Sequence, residues 1–253
     1  MEKNIWNFKN DIYIKAIDYH KESINDSQYT YSQVYYPLVK GDYNDLVSQL
    51  SLNKKYKYSL MKKMSTQFND KGILQLIKER KSFDIQLVHN FRITKSMISD
   101  FCNLSFNGLS DYHRSYPSGG NLYEVNIFLA FDEKVFSFYN RNICFLDHKS
   151  DSLWFIKSDN WLKNISRVFI QKDLFKNSKF AIFLSVNLDR IFKKYTDIGY
   201  KLVQQETGYI GQNIQLVSTA MGMQSIALQG YYDKIANSII GNNQSVLSAF
   251  LIG

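Results

Sequence analysis

The sequence predicts an α+β fold, and three observations carry that prediction. Runs of β-branched and aromatic residues at 125–131, 135–139, 181–186 and 246–252 read as strands. A long amphipathic helix stands between the third run and the fourth. Helices and strands otherwise mix without regular βαβ alternation, which argues against a parallel sheet.

The 253 residues, 45% of them hydrophobic, suffice for one large domain or for a main domain with a small appendage. The formal net charge is +8, but the lysines are scattered among carboxylates and neither an arginine-rich arm nor zinc-finger spacing occurs. No nucleic-acid partner is expected; a basic surface that attracts anionic ligands or an acidic peptide is the narrower inference. Cys102 and Cys144 lie far apart and form no CxxC pattern, so neither a disulfide framework nor a metal site is expected and a reducing cytoplasm fits. The first twenty residues mix charge into every turn, and the apolar runs are too short to span a bilayer. A cytoplasmic protein without membrane contact is expected.

Residues 1–75 are rich in Tyr, Lys, Asn and Ser, with helical spacing around Leu46 and Leu50 and again from Leu60 to Leu76. They are expected to form a small, mainly helical extension. Its cluster Lys54, Lys55, Lys57, Lys62 and Lys63 reads as a solvated face or a contact for a peptide or acidic partner. Arg80, Lys81 and Ser82 close a helical pattern and open an extended stretch over 83–88. Such a run suits a phosphate, because Arg binds two oxygens at once and Ser adds a hydrogen bond; a basic helix end favoured by the dipole explains the same residues. Thr94 is placed to cap the next helix, whose apolar positions include Met97, Ile98 and Phe101.

The least ordinary local sequence is His113-Arg-Ser-Tyr-Pro-Ser-Gly-Gly-Asn-Leu-Tyr123. Pro117 fixes one dihedral, while Gly119 and Gly120 let the backbone approach a ligand closely. The segment runs into the strand at 125–131, and 135–139 follows a short turn, so a hairpin is expected there. A helix is expected over 161–170 and another over 231–239. In the long helix, Val203, Thr207, Ile210, Ile214, Val217 and Met221 recur at spacings of four and three, and Gly222 supplies the stop. Just upstream stand Lys194 and Tyr195, two groups that can move protons. Neighbours on a helix point roughly 100° apart, so joint action is easier in a turn ahead of it, and Gly199 favours a break there. Without chemistry the pair reads as stems covering apolar surface at a helix entrance. His20, His89, His113 and His148 share no metal-ligand spacing, and GxGxxG, HExxH and GxSxG motifs are absent.

Taken together, several segments resemble one family in order and spacing: Arg80 to Ser82, Arg114 to Tyr123, Lys194-Tyr195, Gly199-Tyr200, Glu206 to Gly208, Gln212-Asn213 and Gln229 to Asp233. The family is the SagB/McbC-type azoline dehydrogenases, the flavin-dependent branch of the nitroreductase superfamily that serves streptolysin-S-like and microcin-like peptide pathways. The Tyr-Pro-Ser-Gly-Gly-x-Leu-Tyr string and the Lys-Tyr pair are particular to this branch. The resemblance covers about residues 75–253. It implies a nitroreductase-like fold over 76–253, an antiparallel-rich sheet packed with helices including a long central one. It implies FMN, with Arg80, Lys81 and Ser82 on the flavin phosphate, Pro117, Ser118, Gly119, Gly120 and Asn121 along the ring, and Gln229-Gly230 approaching N5. Lys194 and Tyr195 match the catalytic pair. A homodimer with flavin at its interface, a precursor peptide as substrate and cyclodehydratase subunits as partners follow from the same resemblance. Glu124 and Asn126 stand where the family usually has Pro and Glu, and no basic residue lies near Gly253 where many relatives carry one.

The reaction so implied removes two hydrogens from a peptide thiazoline or oxazoline to give a thiazole or oxazole, with a proton leaving the ring Cα and a hydride leaving the neighbouring carbon. Phenols and ammonium groups are weak bases at neutral pH; ammonium beside phenol favours phenolate, and burial favours the neutral amine. Which of Lys194 and Tyr195 takes the proton stays open. Two other functions also stay open: an NAD(P)H-dependent nitro- or flavin reductase, and a flavin-free scaffold subunit of a peptide-modifying complex.

Overall fold

Strands covered on both faces carry apolar residues at every position, whereas a half-exposed strand alternates. The runs NIFLAF and FAIFLSV are of the first kind and form the middle of one antiparallel sheet. A computed structural model describes residues 14–24, 71–82, 92–108, 113–131, 143–156, 161–241 and 243–253. Its strands are β1 (Asn126–Phe131), β2 (Ile143–Asp147), β3 (Ser152–Ile156), β4 (Phe180–Val186), β5 (Ser225–Leu228) and β6 (Ser245–Ile252). They lie in the order β3-β2-β1-β4-β6-β5, with every neighbouring pair antiparallel. The described helices are α1 (Ile14–Glu22), α2 (Lys71–Glu79), α3 (Lys95–Cys102), α4 (Trp161–Val168), α5 (Lys172–Asn177), α6 (Leu188–Tyr195), α7 (Ile198–Ala220) and α8 (Asp233–Ile240). The fold is α+β with an antiparallel sheet and a long central helix, as the sequence predicts.

Alternation along the central strands divides the core in two. Ile127, Leu129, Ile182 and Leu184 face α7, together with Ile98 and Phe101 of α3. Phe128, Ala130, Ala181 and Phe183 face α4 and α8. Between β4 and β6, Leu184 stands opposite Ser248 and Ser185 opposite Val246, so Leu247 is the extra residue of a bulge. The extra residue shifts the alternation along β6, so that Leu247 joins the core of Phe250 and Val246 that of Ala249.

The 23 residues of α7 span about 34 Å. Val203, Thr207, Ile210 and Ile214 are buried as their spacing predicts, while Val217 and Met221 are half-buried. Gly211 rests on the ring of Phe250, which a side chain there would strike. Gly222 takes a positive φ of 72° after the last turn. Helix α1 packs on the same core: Ala16 is buried in it, and its N–H donates to Asp197 at the start of α7 at 3.3 Å.

Thr94 caps α3 as expected, its hydroxyl accepting from the Met97 N–H at 3.3 Å. The helix expected over 161–170 stops at Val168 because Phe169 bridges to Tyr231, and the same bridge delays α8 to Asp233. Strands β2, β3 and β5 were not anticipated. The expected strand at 135–139, the extended stretch at 83–88, His89 and the lysine cluster lie outside the described residues, while β1 pairs with β2. Cys102 and Cys144 are buried free thiols, each pushed up to about 12 by burial. Among the described residues, no helix is long and apolar enough to cross a membrane.

Candidate active site

Lys194 and Tyr195 are the last two residues of α6, one step ahead of the break into α7. Gly199 makes the tight turn possible, since a Cβ there would crowd Ile191. Lys194 is exposed and its Nζ lies 5.3 Å from the centroid of the half-buried Tyr195 ring, within cation–π range. The Tyr195 hydroxyl is seated against Gly120. Any side chain at Gly120 would overlap that hydroxyl, and Gly120 also holds a φ of 65°. The two segments that carry the closest sequence resemblance therefore meet in space.

The loop that meets Tyr195 is held from beneath by Glu206 of α7. Its carboxylate accepts from the Ser118 hydroxyl at 2.5 Å and from the Val125 N–H at 3.1 Å. Ser118 accepts in turn from the Tyr123 N–H at 2.8 Å. Glu206 is buried, and burial raises its carboxyl above the ordinary range against these two hydrogen bonds, which lower it. Asn213, two turns further along α7, donates to the Ser115 carbonyl at 2.7 Å. Arg114 bonds the Tyr116 hydroxyl at 3.0 Å and stacks over Tyr123 at 4.3 Å. So fixed, the loop leaves Pro117, Gly120 and Asn121 exposed and Gly119 against Leu202. Glu124 and Asn126 also find partners: Glu124 pairs with Arg190 at 3.3 Å, and Asn126 donates to Gln244 at 3.0 Å.

A cleft of about 680 Å³ lies on another face of α7, between that helix, the β5–β6 edge and α1. Strand β5 ties two of the expected cofactor segments to it. Ser82 bridges to Ser225 at the start of the strand, and Gln229-Gly230 follows its end. The four-residue strand separates them by roughly 13 Å. Arg80 donates from Nη1 to Gln215 of the cleft wall at 3.0 Å, while Lys81 beside it is exposed. Gly230 is anchored through its carbonyl, which accepts from the Ile170 N–H at 3.0 Å.

The expected site residues thus form two groups in one chain. Leu202 and Glu206 turn to the Ser-Gly-Gly loop, whereas Gln204 and Gly208 line the cleft. Helical residues two apart point about 160° from each other, so α7 stands between the groups.

The cleft, together with residues 80–82 beside its wall, fits a flavin mononucleotide. Guanidinium, ammonium and hydroxyl at Arg80, Lys81 and Ser82 match a phosphate. The neutral amides of Gln204, Gln212, Gln215 and Gln229 offer both donors and acceptors to a pyrimidine-like edge. Gly208 faces open space, with no atom within 4 Å of where a Cβ would lie. The volume is in the range of cofactor sites.

Sequence reasoning missed the roles of Glu206 and of Tyr19 and His20, which line the cleft from α1. A signal for Glu206 was available: a carboxylate three residues after Val203 and four before Ile210 sits beside the buried stripe. For Tyr19 and His20 there was none, because their partner Tyr200 is 180 residues away in the His20 contact.

Residues 77–253 match the model of the Nitroreductase family. A nitroreductase-like protein of Methanocaldococcus jannaschii is 27% identical over 60 residues, which are 24% of this chain and 30% of that relative, less than a third of its length. Among solved structures, a chain of the E. coli microcin synthetase McbBCD complex with truncated pro-MccB17 bound superposes with a TM-score of 0.72 at 17% identity, covering 97% of this chain and 93% of that one. A nitroreductase-like protein of Ralstonia eutropha gives a TM-score of 0.57 at 10% identity over 78% of this chain and 86% of its own. One from Anabaena variabilis gives 0.57 at 14% identity over 94% of this chain and 45% of its own.

Proposed function

This chain belongs to the nitroreductase family of oxidoreductases, and from that premise we propose that it is an FMN-dependent azoline dehydrogenase that converts peptide thiazolines or oxazolines to azoles. One observation carries the reading: the Tyr195 hydroxyl rests on Gly120 of the Ser-Gly-Gly loop, joining the two segments particular to that branch. The likeness to the microcin synthetase chain, which extends over 97% of the residues, supports it. A precursor peptide is the substrate, and cyclodehydratase subunits are the working partners. The protein acts in the cytoplasm.

Arg80, Lys81 and Ser82 would hold the FMN phosphate, and Gln229-Gly230 would border the ring. When bound, FMN supplies the acceptor for the hydride. The chain's own residues handle the proton. Lys194 and Tyr195, side by side at the end of α6, take up the proton that leaves the ring Cα. Gly120 keeps the hydroxyl in place because only a bare Cα leaves room for it. Pro117, Ser118, Gly119, Gly120 and Asn121 would lie along the flavin ring, in the shape that Glu206 gives the loop.

Because α7 separates the loop from the cleft, each working site is composed of the cleft of one protomer and the loop with Lys194 and Tyr195 of another. The homodimer is therefore part of the proposal.

The test is mass analysis of a cyclised peptide incubated with the FMN-loaded protein. Loss of two hydrogens per ring is expected, and Lys194→Ala and Tyr195→Phe should each lower the rate at least ~100-fold with FMN content unchanged. Normal rates in both variants would overturn the assigned roles. Rapid flavin bleaching by NAD(P)H with none by the peptide would identify a reductase, and a protein that stays colourless after incubation with FMN would identify a scaffold.

A further inference from the structure

We infer that the end of the cleft walled by helix α1 is the subsite for the peptide's heterocycle, with Tyr19 and His20 as substrate-contacting residues. The inference rests on the function proposed above, and it starts from the polarity of the cleft. Arg80 on Gln215 marks the phosphate end. Strand β5 runs back along α7: the Met223 N–H ahead of it donates to Ser218, and Ala227 pairs with Phe250, on which Gly211 rests. Ala227 is thus level with Gly211. Gln229, about 7 Å further, is level with the Thr207 turn. From Thr207 to Tyr200 the helix continues for roughly 10 Å, and the cleft continues with it.

That remaining length has its own chemistry. Tyr19 and His20 of α1 meet Tyr200 edge to face, with ring centroids 5.9 and 5.6 Å apart. His20 Nδ1 lies 3.2 Å from the Tyr200 hydroxyl. Ser23, which bonds the His20 carbonyl at 2.9 Å, lines the same end. Three rings with polar tips suit a flat five-membered heterocycle within an amide chain: ring faces pack on the heterocycle while hydroxyl and imidazole bond the flanking peptide groups. Tyr19 is 63% exposed, so its face is open to a ligand. Burial lowers the pKa of His20 and favours the neutral ring, which can both donate and accept. The match to the family model begins at residue 77, so this wall lies outside the matched residues.

The experiment uses the full-length, FMN-loaded protein. Binding of a fluorescein-labelled thiazole peptide is followed by anisotropy, steady-state kinetics use the corresponding thiazoline peptide, and FMN content is read from absorbance. Tyr19→Ala, at an exposed position that leaves folding intact, should raise Kd and KM roughly 5–10-fold with kcat and FMN content unchanged. Tyr19→Phe, which keeps the ring face and loses only the hydroxyl, should restore most of both, and His20→Ala should act in the same direction as Tyr19→Ala. Unchanged Kd and KM in Tyr19→Ala and His20→Ala overturn the inference while leaving the dehydrogenase reading intact. Loss of FMN without a change in peptide Kd also overturns it, assigning this end to the flavin. A wild-type protein that neither binds nor oxidises the peptide removes the functional reading itself, and this inference with it.

Discussion

Glu206 is 3% exposed and holds two donors from a segment more than 80 residues upstream, so its carboxylate ties both ends of the stretch 118–125 to α7. Glu206→Ala leaves the Ser118 hydroxyl and the Val125 N–H without an acceptor and should cost about 2–4 kcal/mol in urea unfolding. The pH dependence has a definite sign. Burial raises the folded carboxyl above its ordinary value, so the folded protein keeps this proton where the unfolded chain has released it. Its contribution to stability therefore falls as pH rises from the ordinary glutamate range through the raised one. Glu206→Gln should flatten that part of the curve, which urea midpoints between about pH 4 and pH 7 would reveal. At this scale Gly120 was legible and Glu206 only partly so. Glycine and proline act on their own backbone and announce it locally, whereas a buried carboxylate takes its meaning from partners that only the fold supplies.

The break between α6 and α7 shows the same division for elements. The apolar stripe, the Gly222 stop and the tight turn at Gly199 could all be read from local spacing, because each follows from the helix's own period. The conformation at the break could not. Thr196 takes φ 52° and ψ −147°, close to a region almost reserved for glycine, and such strain is worth about 1–3 kcal/mol. Thr196→Gly should therefore raise stability by about 1 kcal/mol, part of the relief being lost to the extra freedom of glycine when unfolded. A lowered urea midpoint would show that the backbone is not strained there. The missed strands have physical reasons of their own. Strand β5 has only four residues, β3 is a half-exposed edge, and the short apolar run of β2 fits a helix turn as well as a strand.

At the scale of the molecule, the proposed composite site predicts complementation between protomers. An Arg80→Ala, Ser82→Ala variant lacks the phosphate contacts, and a Lys194→Ala, Tyr195→Phe variant lacks the proton-handling pair. Each should be inactive alone. Mixed after dissociation and reassembly, half of the dimers carry one of each chain, and each of these holds one intact site, so about a quarter of wild-type activity should return. No recovery would mean that cleft and loop serve the same chain. Strand order has a consequence of a different kind. Strand β6 is the latest element in sequence, yet it lies between β4 and β5 and carries residues of both cores. Until β6 is in place, β4 presents an open apolar edge and β5 lacks the strand that joins it to the rest of the sheet among the described residues. A folding chain that has not yet placed β6 is therefore prone to associate with others through the β4 edge, which makes its yield sensitive to chaperone supply.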